Sequence, residues 1–333
     1  MKNIPTGNNE QGTRFTIGDF YEAGRESLAL NVFAGEKNLG REITEPIVNR
    51  PGLALTGFFK HFAWRRPQLI GQAEMAFLRS LDKKERLVRF GSVLDRRASC
   101  FVFTAGSKPL VEEGRLAEKA GAVIFTTKLK TREFANQSTF LLERLGAPTT
   151  TMYGTMIEVA GLGVFIEGDP GLGKSETALG LIKRGHALIA DDLTCIRKEV
   201  GNDILYASAS DSTAGFMEIR GIGIMHIPRI FGVTSVRGEK RLQLVITFKR
   251  LVDVRAEIDR VGQDRHYRRI LGVDVPNVII PVSEGRDLVN LVETAAMQQK
   301  LLQTGFDPVE ALSQRLRQRA VGFKAKKGGD NHG

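Results

Sequence analysis

Leu162-Gly163-Val164-Phe165-Ile166-Glu167-Gly168-Asp169-Pro170-Gly171-Leu172-Gly173-Lys174-Ser175 passes from an apolar run straight into a glycine-rich loop. Leu162 to Ile166 has the composition of a buried strand. Ser175 to Arg184, with Ala178, Leu179, Leu181 and Ile182 apolar, reads as the helix that follows. Between them, Gly168, Asp169, Pro170, Gly171, Leu172, Gly173, Lys174 and Ser175 match the phosphate-binding pattern G-x-x-x-x-G-K-S in full. Glycines let successive backbone N–H groups close on an anion. The helix presents its positive N-terminal end to the same anion. In such a loop Lys174 reaches the β- and γ-phosphates and the Ser175 hydroxyl binds Mg2+. A nucleoside triphosphate ligand and a strand–loop–helix unit of an α/β fold are therefore expected.

Beyond that helix, Gly185-His186-Ala187-Leu188-Ile189-Ala190-Asp191-Asp192 is an apolar strand that ends in two carboxylates. Ligands of α/β sheets bind outside the carboxyl ends of strands, so this end should lie beside the phosphate loop. One carboxylate can hold Mg2+ and the other can accept a proton from an attacking hydroxyl, so Asp191 and Asp192 are candidate catalytic residues whose roles stay open. Met217-Glu218-Ile219-Arg220-Gly221 reads, on its own, as a surface strand with Glu218 and Arg220 on one face. Asp259-Arg260-Val261-Gly262 resembles the Asp-x-x-Gly element of GTPases, but no Asn-Lys-x-Asp motif accompanies it, which disfavours guanine-nucleotide switching.

Outward from this core, the 333 residues suffice for two or three domains. Residues 1–14 read as a disordered polar tail without a signal-peptide core. Ala98 to Thr104 reads as a buried strand, Glu112 to Ala120 as a helix and Ala122 to Thr126 as a strand, which makes residues 15–148 a small α/β domain. Gly146-Ala147-Pro148-Thr149-Thr150-Thr151 reads as a linker, and residues 149–305 as the catalytic domain. Leu288, Leu291, Val292, Ala295 and Leu302 fall at helical spacing, with Gly305 as the stop. Asp307-Pro308 then starts another helix, and residues 306–333 form this helix and a basic tail.

The net charge of +10 favours anionic ligands in general. A nucleic-acid partner would rest on charge alone and is disfavoured. The two cysteines, Cys100 and Cys195, make neither a disulfide framework nor a metal site, which points to the cytoplasm. No run of 18 uncharged apolar residues occurs, so no transmembrane helix and no membrane partner are expected.

Taken together, Gly168 to Ala178, Arg184-Gly185-His186, Ala190-Asp191-Asp192, Glu218-Ile219-Arg220-Gly221-Ile222-Gly223, Phe231-Gly232 and Asp259-Arg260-Val261-Gly262 resemble the HPr kinase/phosphorylase family. The N-terminal half is similar through Arg50-Pro51-Gly52-Leu53-Ala54-Leu55-Thr56-Gly57, Gly71-Gln72-Ala73-Glu74 and Leu141 to Leu145, so the likeness runs in order over residues 15–305. The resemblance implies two α/β domains, the second a kinase core like that of phosphoenolpyruvate carboxykinase. It implies phosphorylation of a serine of the phosphocarrier protein HPr by ATP and Mg2+, and the reverse phosphorolysis. It places Ser175 and Glu218 at the metal, Lys174 on the nucleotide, Arg260 as an active-site arginine and one of Asp191 and Asp192 as the proton-transfer group. It implies homohexamers.

The sequence departs from the family at two places. Tyr153-Gly154 stands where the family has His-Gly, so Tyr153 enters the candidate site without a histidine's chemistry near neutral pH. Pro281-Val282-Ser283-Glu284-Gly285-Arg286 stands for Pro-Val-Arg/Lys-Pro-Gly-Arg, which exchanges a cation for an acid. The expectation is a kinase with weakened or lost phosphorolysis. A small-molecule kinase on the same core and a nucleotide-gated regulatory module are the rival readings.

Overall fold

The structure, a computed structural model, describes residues 14–98, 100–252 and 265–327, with side chains through Arg317. The chain divides into two compact units that meet in sequence at Pro148 and Thr149. Among the described residues, no helix is long and apolar enough to cross a membrane.

The N-terminal unit contains β1 (Phe15–Thr16), β2 (Asn31–Ala34), β3 (Glu42–Ile43), β4 (Gln68–Ile70), β5 (Cys100–Phe103) and β6 (Val123–Thr126). Four of them form one sheet in the order β2-β6-β5-β4, with β4, β5 and β6 parallel and β2 antiparallel at the edge. Side chains alternate across this sheet, as the pleat requires. Phe101 and Phe103 join Phe90, Val93 and Ala117 on one face, and Cys100 and Val102 join Ile17, Phe20, Phe134 and Leu142 on the other. Helices therefore cover both faces, which is the layered solution for a buried parallel sheet. The expected strand, helix and strand are found as β5, Val111–Lys119 and β6.

The C-terminal unit opens with β7 (Thr149–Tyr153), β8 (Thr155–Val159) and β9 (Leu162–Gly168). The helix of the preceding unit runs to Gly146, so the expected linker shrinks to Ala147-Pro148, and Thr149 to Thr151 are strand. Three consecutive β-branched threonines favour extended backbone over a loose connection. Next come β10 (Ala187–Ala190), β11 (Leu193–Lys198), β12 (Leu205–Ala209), β13 (Phe216–Ile219), β14 (Gly223–His226), β15 (Glu239–Arg241), β16 (Leu244–Arg250), β17 (His266–Ile270) and β18 (Val273–Val282). A six-stranded mixed sheet has the order β10-β8-β9-β16-β18-β17, and a four-stranded antiparallel sheet has the order β15-β12-β11-β7.

Helices Lys174–Lys183 and Leu288–Gln303 cover one face of the larger sheet through Ala178, Leu181, Ile182, Val292 and Ala296. The smaller sheet covers the other face through Ile196, Leu205 and Ala207. Gly305 takes φ 88° just past the Leu288–Gln303 helix, as its stop position predicts. Asp307 caps the next helix by accepting from Val309 N at 2.9 Å. That helix runs from Pro308 to Lys327, so most of the expected basic tail is helical.

Candidate active site

The phosphate loop joins the end of β9 to the helix Lys174–Lys183. Two of its glycines, Gly171 and Gly173, take φ near +84°, the left-handed backbone that side chains resist. Gly168 is needed for a different reason. An ideal Cβ there would lie 2.6 Å from the Phe248 carbonyl oxygen of β16. Lys174 Nζ donates to the Gly168 and Asp169 carbonyls at 2.8 and 3.1 Å. These are neutral acceptors, and a phosphate oxygen makes the stronger, charge-assisted partner for the same ammonium.

β10 reaches the loop by an indirect route. β8 is antiparallel to β9, and β10 is antiparallel to β8, so β10 runs in the same direction as β9. Its carboxyl end therefore emerges on the phosphate-loop side, and Asp191 accepts from Ser175 Oγ at 3.1 Å. Asp191 is buried at 8% exposure and also accepts from Thr155 Oγ1 at 2.8 Å and from Glu218 N at 3.3 Å. Burial pushes its carboxyl above the ordinary aspartate range, and the bonds from Thr155, Ser175 and the backbone oppose that shift.

Asp192 is different in kind. It is exposed, and its carboxylate makes no hydrogen bond or ion pair among the described residues. Its φ is 64°, a left-handed value rare outside glycine and costly unless surrounding structure holds it. Two hydrogen bonds hold it there: Gly154 N donates to Asp192 O at 2.9 Å, and Leu193 N donates to Asp191 O at 2.8 Å. An ideal Cβ on Gly154 would lie 2.5 Å from the Phe165 ring, so that strand end admits only glycine.

Other expected site residues fall less centrally. Glu218 lies in the hairpin of β13 and β14, with an exposed side chain, and meets Asp191 through its backbone N–H. Tyr153 is 69% exposed at the end of β7, paired with Leu193 of β11. Arg260 lies outside the described residues. In the segment Pro281 to Arg286, Arg286 Nη1 donates to Pro281 O at 2.8 Å, and Glu284 is exposed.

One residue of the family motif gains a definite place in the structure, and one residue escapes sequence reasoning. Arg220 sits over the phosphate loop, with Nη1 3.9 Å from an ideal Cβ on Gly171. Thr155, buried in β8, carries a hydroxyl at the center of the Asp191 contacts. The available signal was a polar residue in the otherwise apolar Thr155-Met156-Ile157 run, three letters that say nothing of what faces them.

The Arg184-Gly185-His186 segment braces the site from behind. Arg184 Nη1 donates to Asn290 Oδ1 at 2.6 Å and Glu293 Oε2 at 2.8 Å, and His186 Nε2 lies 3.2 Å from Glu293 Oε1. Val289 packs so closely that an ideal Cβ on Gly180 would meet it at 2.5 Å. The first two turns of the Leu288–Gln303 helix thus hold the phosphate-loop helix along its length.

Loop, lysine and hydroxyl have the chemistry of an anion cradle, and Asp191 against Ser175 and Asp192 next to it in sequence are carboxylates able to offer hard oxygen donors or to accept a proton. Among the described residues, no three His, Cys, Asp or Glu side chains cluster as a metal cage. The donor set of Ser175 and Asp191 suits a small divalent cation that shares its shell with phosphates.

Comparison with known proteins places this geometry in context. Residues 16–142 match the family model described as HPr Serine kinase N terminus, and residues 144–316 match the HPr Serine kinase C-terminal domain. The HPr kinase/phosphorylase of Leptospira biflexa serovar Patoc is 39% identical over 296 residues, covering 87% of this chain and 90% of its own. That of Treponema pallidum (strain Nichols) is 38% identical over 290 residues, covering 87% and 91%. The solved structure of the Hpr(Ser) kinase/phosphatase from Coxiella burnetii is 30% identical, covers 46% of this chain and 99% of that one, and superposes with a TM-score of 0.41.

Proposed function

The chain belongs to the HPr kinase/phosphorylase family and is a phosphotransferase of that kind, and from this premise we propose that it transfers the γ-phosphate of ATP to a serine of HPr or an HPr-like phosphocarrier. One observation carries the reading at this site: Ser175 of the phosphate loop shares a hydrogen bond with Asp191, the first of two carboxylates at a parallel strand end.

In this reading the loop amides from Gly168 to Ser175 and the Lys174 ammonium hold the triphosphate. Mg2+, when bound, neutralises phosphate charge, and Ser175 and Asp191, with Glu218 at the rim, are the groups to hold it. Asp192 takes the proton from the attacking serine hydroxyl. Among the described residues its carboxylate has no partner where Asp191 has three, and a group that accepts a proton in the reaction needs an oxygen not already saturated. Arg220, over the loop, and Arg260 are the cations to steady charge on the transferring phosphoryl group.

The reverse reaction asks for inorganic phosphate to enter and attack. Tyr153 offers a hydrogen bond but not a histidine's proton near neutral pH. Glu284 repels phosphate where the family carries a cation. Kinase activity with weak phosphorolysis is the expected balance. Assembly as a homohexamer accords with the exposed Val309, Leu312 and Leu316, an apolar row on the Pro308–Lys327 helix. Two free cysteines accord with the cytoplasm.

The test is direct. Purified protein, labelled ATP, Mg2+ and the host's HPr should yield phosphoserine on HPr, and light scattering should give six subunits. Labelled metabolite with unlabelled HPr would sink the substrate assignment.

A further inference from the structure

Asp191 is gripped by donors from three other elements, and one of those donors has no task on the nucleotide. Thr155 is fully buried in β8, held in register opposite Ile166 of β9. Its hydroxyl donates to Asp191 Oδ1 at 2.8 Å, and the Ser175 hydroxyl donates to the same oxygen at 3.1 Å. Glu218 N takes the opposite oxygen, Oδ2, at 3.3 Å.

We propose that Thr155 is a positioning residue, which fixes the rotation of the Asp191 carboxylate so that Ser175 keeps its hydrogen on Oδ1 and turns its lone pairs toward the metal of a bound nucleotide. The inference rests on the phosphotransfer reading above. The physical reasons are local. A carboxylate's last torsion is broad and nearly two-fold, so bonds from one side do not define it. Threonine in a strand is stiff about χ1, so its hydroxyl is a fixed donor. Serine is not stiff, and its hydroxyl has one hydrogen and two lone pairs. If Asp191 turns, the Ser175 hydrogen follows another acceptor and the lone pairs leave the metal direction. The buried Thr155 hydroxyl is engaged with Asp191, and its effect on the metal passes through that carboxylate.

Partners of this outer kind typically change metal affinity 10- to 100-fold when removed. The experiment titrates a non-hydrolysable ATP analogue with and without Mg2+ against wild type, Thr155→Val and Thr155→Ser. Valine keeps the shape and removes the donor, and serine keeps the donor. Thr155→Val should lose about tenfold of the Mg2+-dependent gain in affinity and need about tenfold more Mg2+ for half-maximal phosphorylation of HPr. Its metal-free affinity and its turnover at saturating Mg2+ should match wild type. Thr155→Ser, which keeps the donor without the stiff χ1, should restore part of the metal dependence. An unchanged Mg2+ dependence in Thr155→Val overturns the proposal, as does an equal loss with and without Mg2+ or a serine variant no better than valine. A wild-type protein that transfers nothing to HPr would defeat the functional reading, while the analogue titration would still decide the role of Thr155.

Discussion

Replacing Gly168 by alanine measures how tightly the phosphate loop is tied to the sheet. The new Cβ would stand 2.6 Å from the Phe248 carbonyl oxygen and 3.0 Å from the Phe248 Cβ. Ordinary contact begins near 3.4 Å, so one side must yield by 3.4 − 2.6, or 0.8 Å. Neither side yields freely. Phe248 pairs with Gly168 in the parallel ladder, and its ring is 1% exposed in the core. Overpacking of this kind costs about 1–3 kcal/mol. The φ of 148° at Gly168 adds strain for any L side chain, about 1–3 kcal/mol more. The sum, about 2–6 kcal/mol, is a large share of a domain's usual 5–15 kcal/mol or so. For a unit of this size it lowers Tm by at least about 4 °C. Gly161→Ala is the control, because Gly161 has φ 87° but nothing within 4 Å of its Cβ position. It should cost only the backbone strain, about 1–2 kcal/mol. Differential scanning calorimetry and a nucleotide titration read both variants. Gly168→Ala should also weaken nucleotide binding, since its carbonyl anchors Lys174. If it melts with Gly161→Ala and binds nucleotide like wild type, the steric argument is wrong.

Asp192→Asn should cut transfer to HPr by at least about 100-fold while nucleotide affinity holds, since asparagine tolerates the left-handed backbone. Retention of more than about a tenth of wild-type activity in a steady-state assay would refute Asp192 as the proton acceptor. Tyr153→His should raise pyrophosphate release from phosphoserine-HPr and inorganic phosphate between about pH 6 and 7, where histidine titrates. An unchanged rate would show that Tyr153 is not what limits phosphorolysis. Arg184, and after it His186, hold the Glu293 carboxyl below its ordinary value of 4.5. A depressed folded value adds stability that is present above pH 4.5 and is lost as pH falls through the lower folded value. Glu293→Gln should therefore lower Tm at neutral pH, and the gap to wild type should close in acid. A gap that stays constant with pH would count against the ion pairs.

What the sequence made legible was local. The phosphate loop, the strand before it and the Gly305 and Asp307-Pro308 punctuation each depend on a few neighbouring residues, and backbone conformation at those spots follows from residue type. The direction of β10 was anticipated from the rule about strand ends, but its route was not. β8 intervenes between β9 and β10, a pairing between segments about 30 residues apart that no periodicity records. The Thr149-Thr150-Thr151 run looked like a linker because its residues are small and uncharged, and it became strand because β11 pairs with it. Thr155 was invisible for the same reason, since it gains its meaning from Asp191, far along the chain. Arg220 stood within the family motif, but its place over Gly171 follows from no spacing in the sequence.

The left-handed backbone of Asp192 carries a consequence for how this position can vary. Glycine would occupy it without strain, so Asp192→Gly should leave a sturdier protein that no longer works as a kinase. A screen that rewards only abundance would enrich it, and a screen that rewards phosphorylated HPr would discard it. A library sorted both ways would therefore test the proton-acceptor role proposed for Asp192 with no knowledge of the ligand.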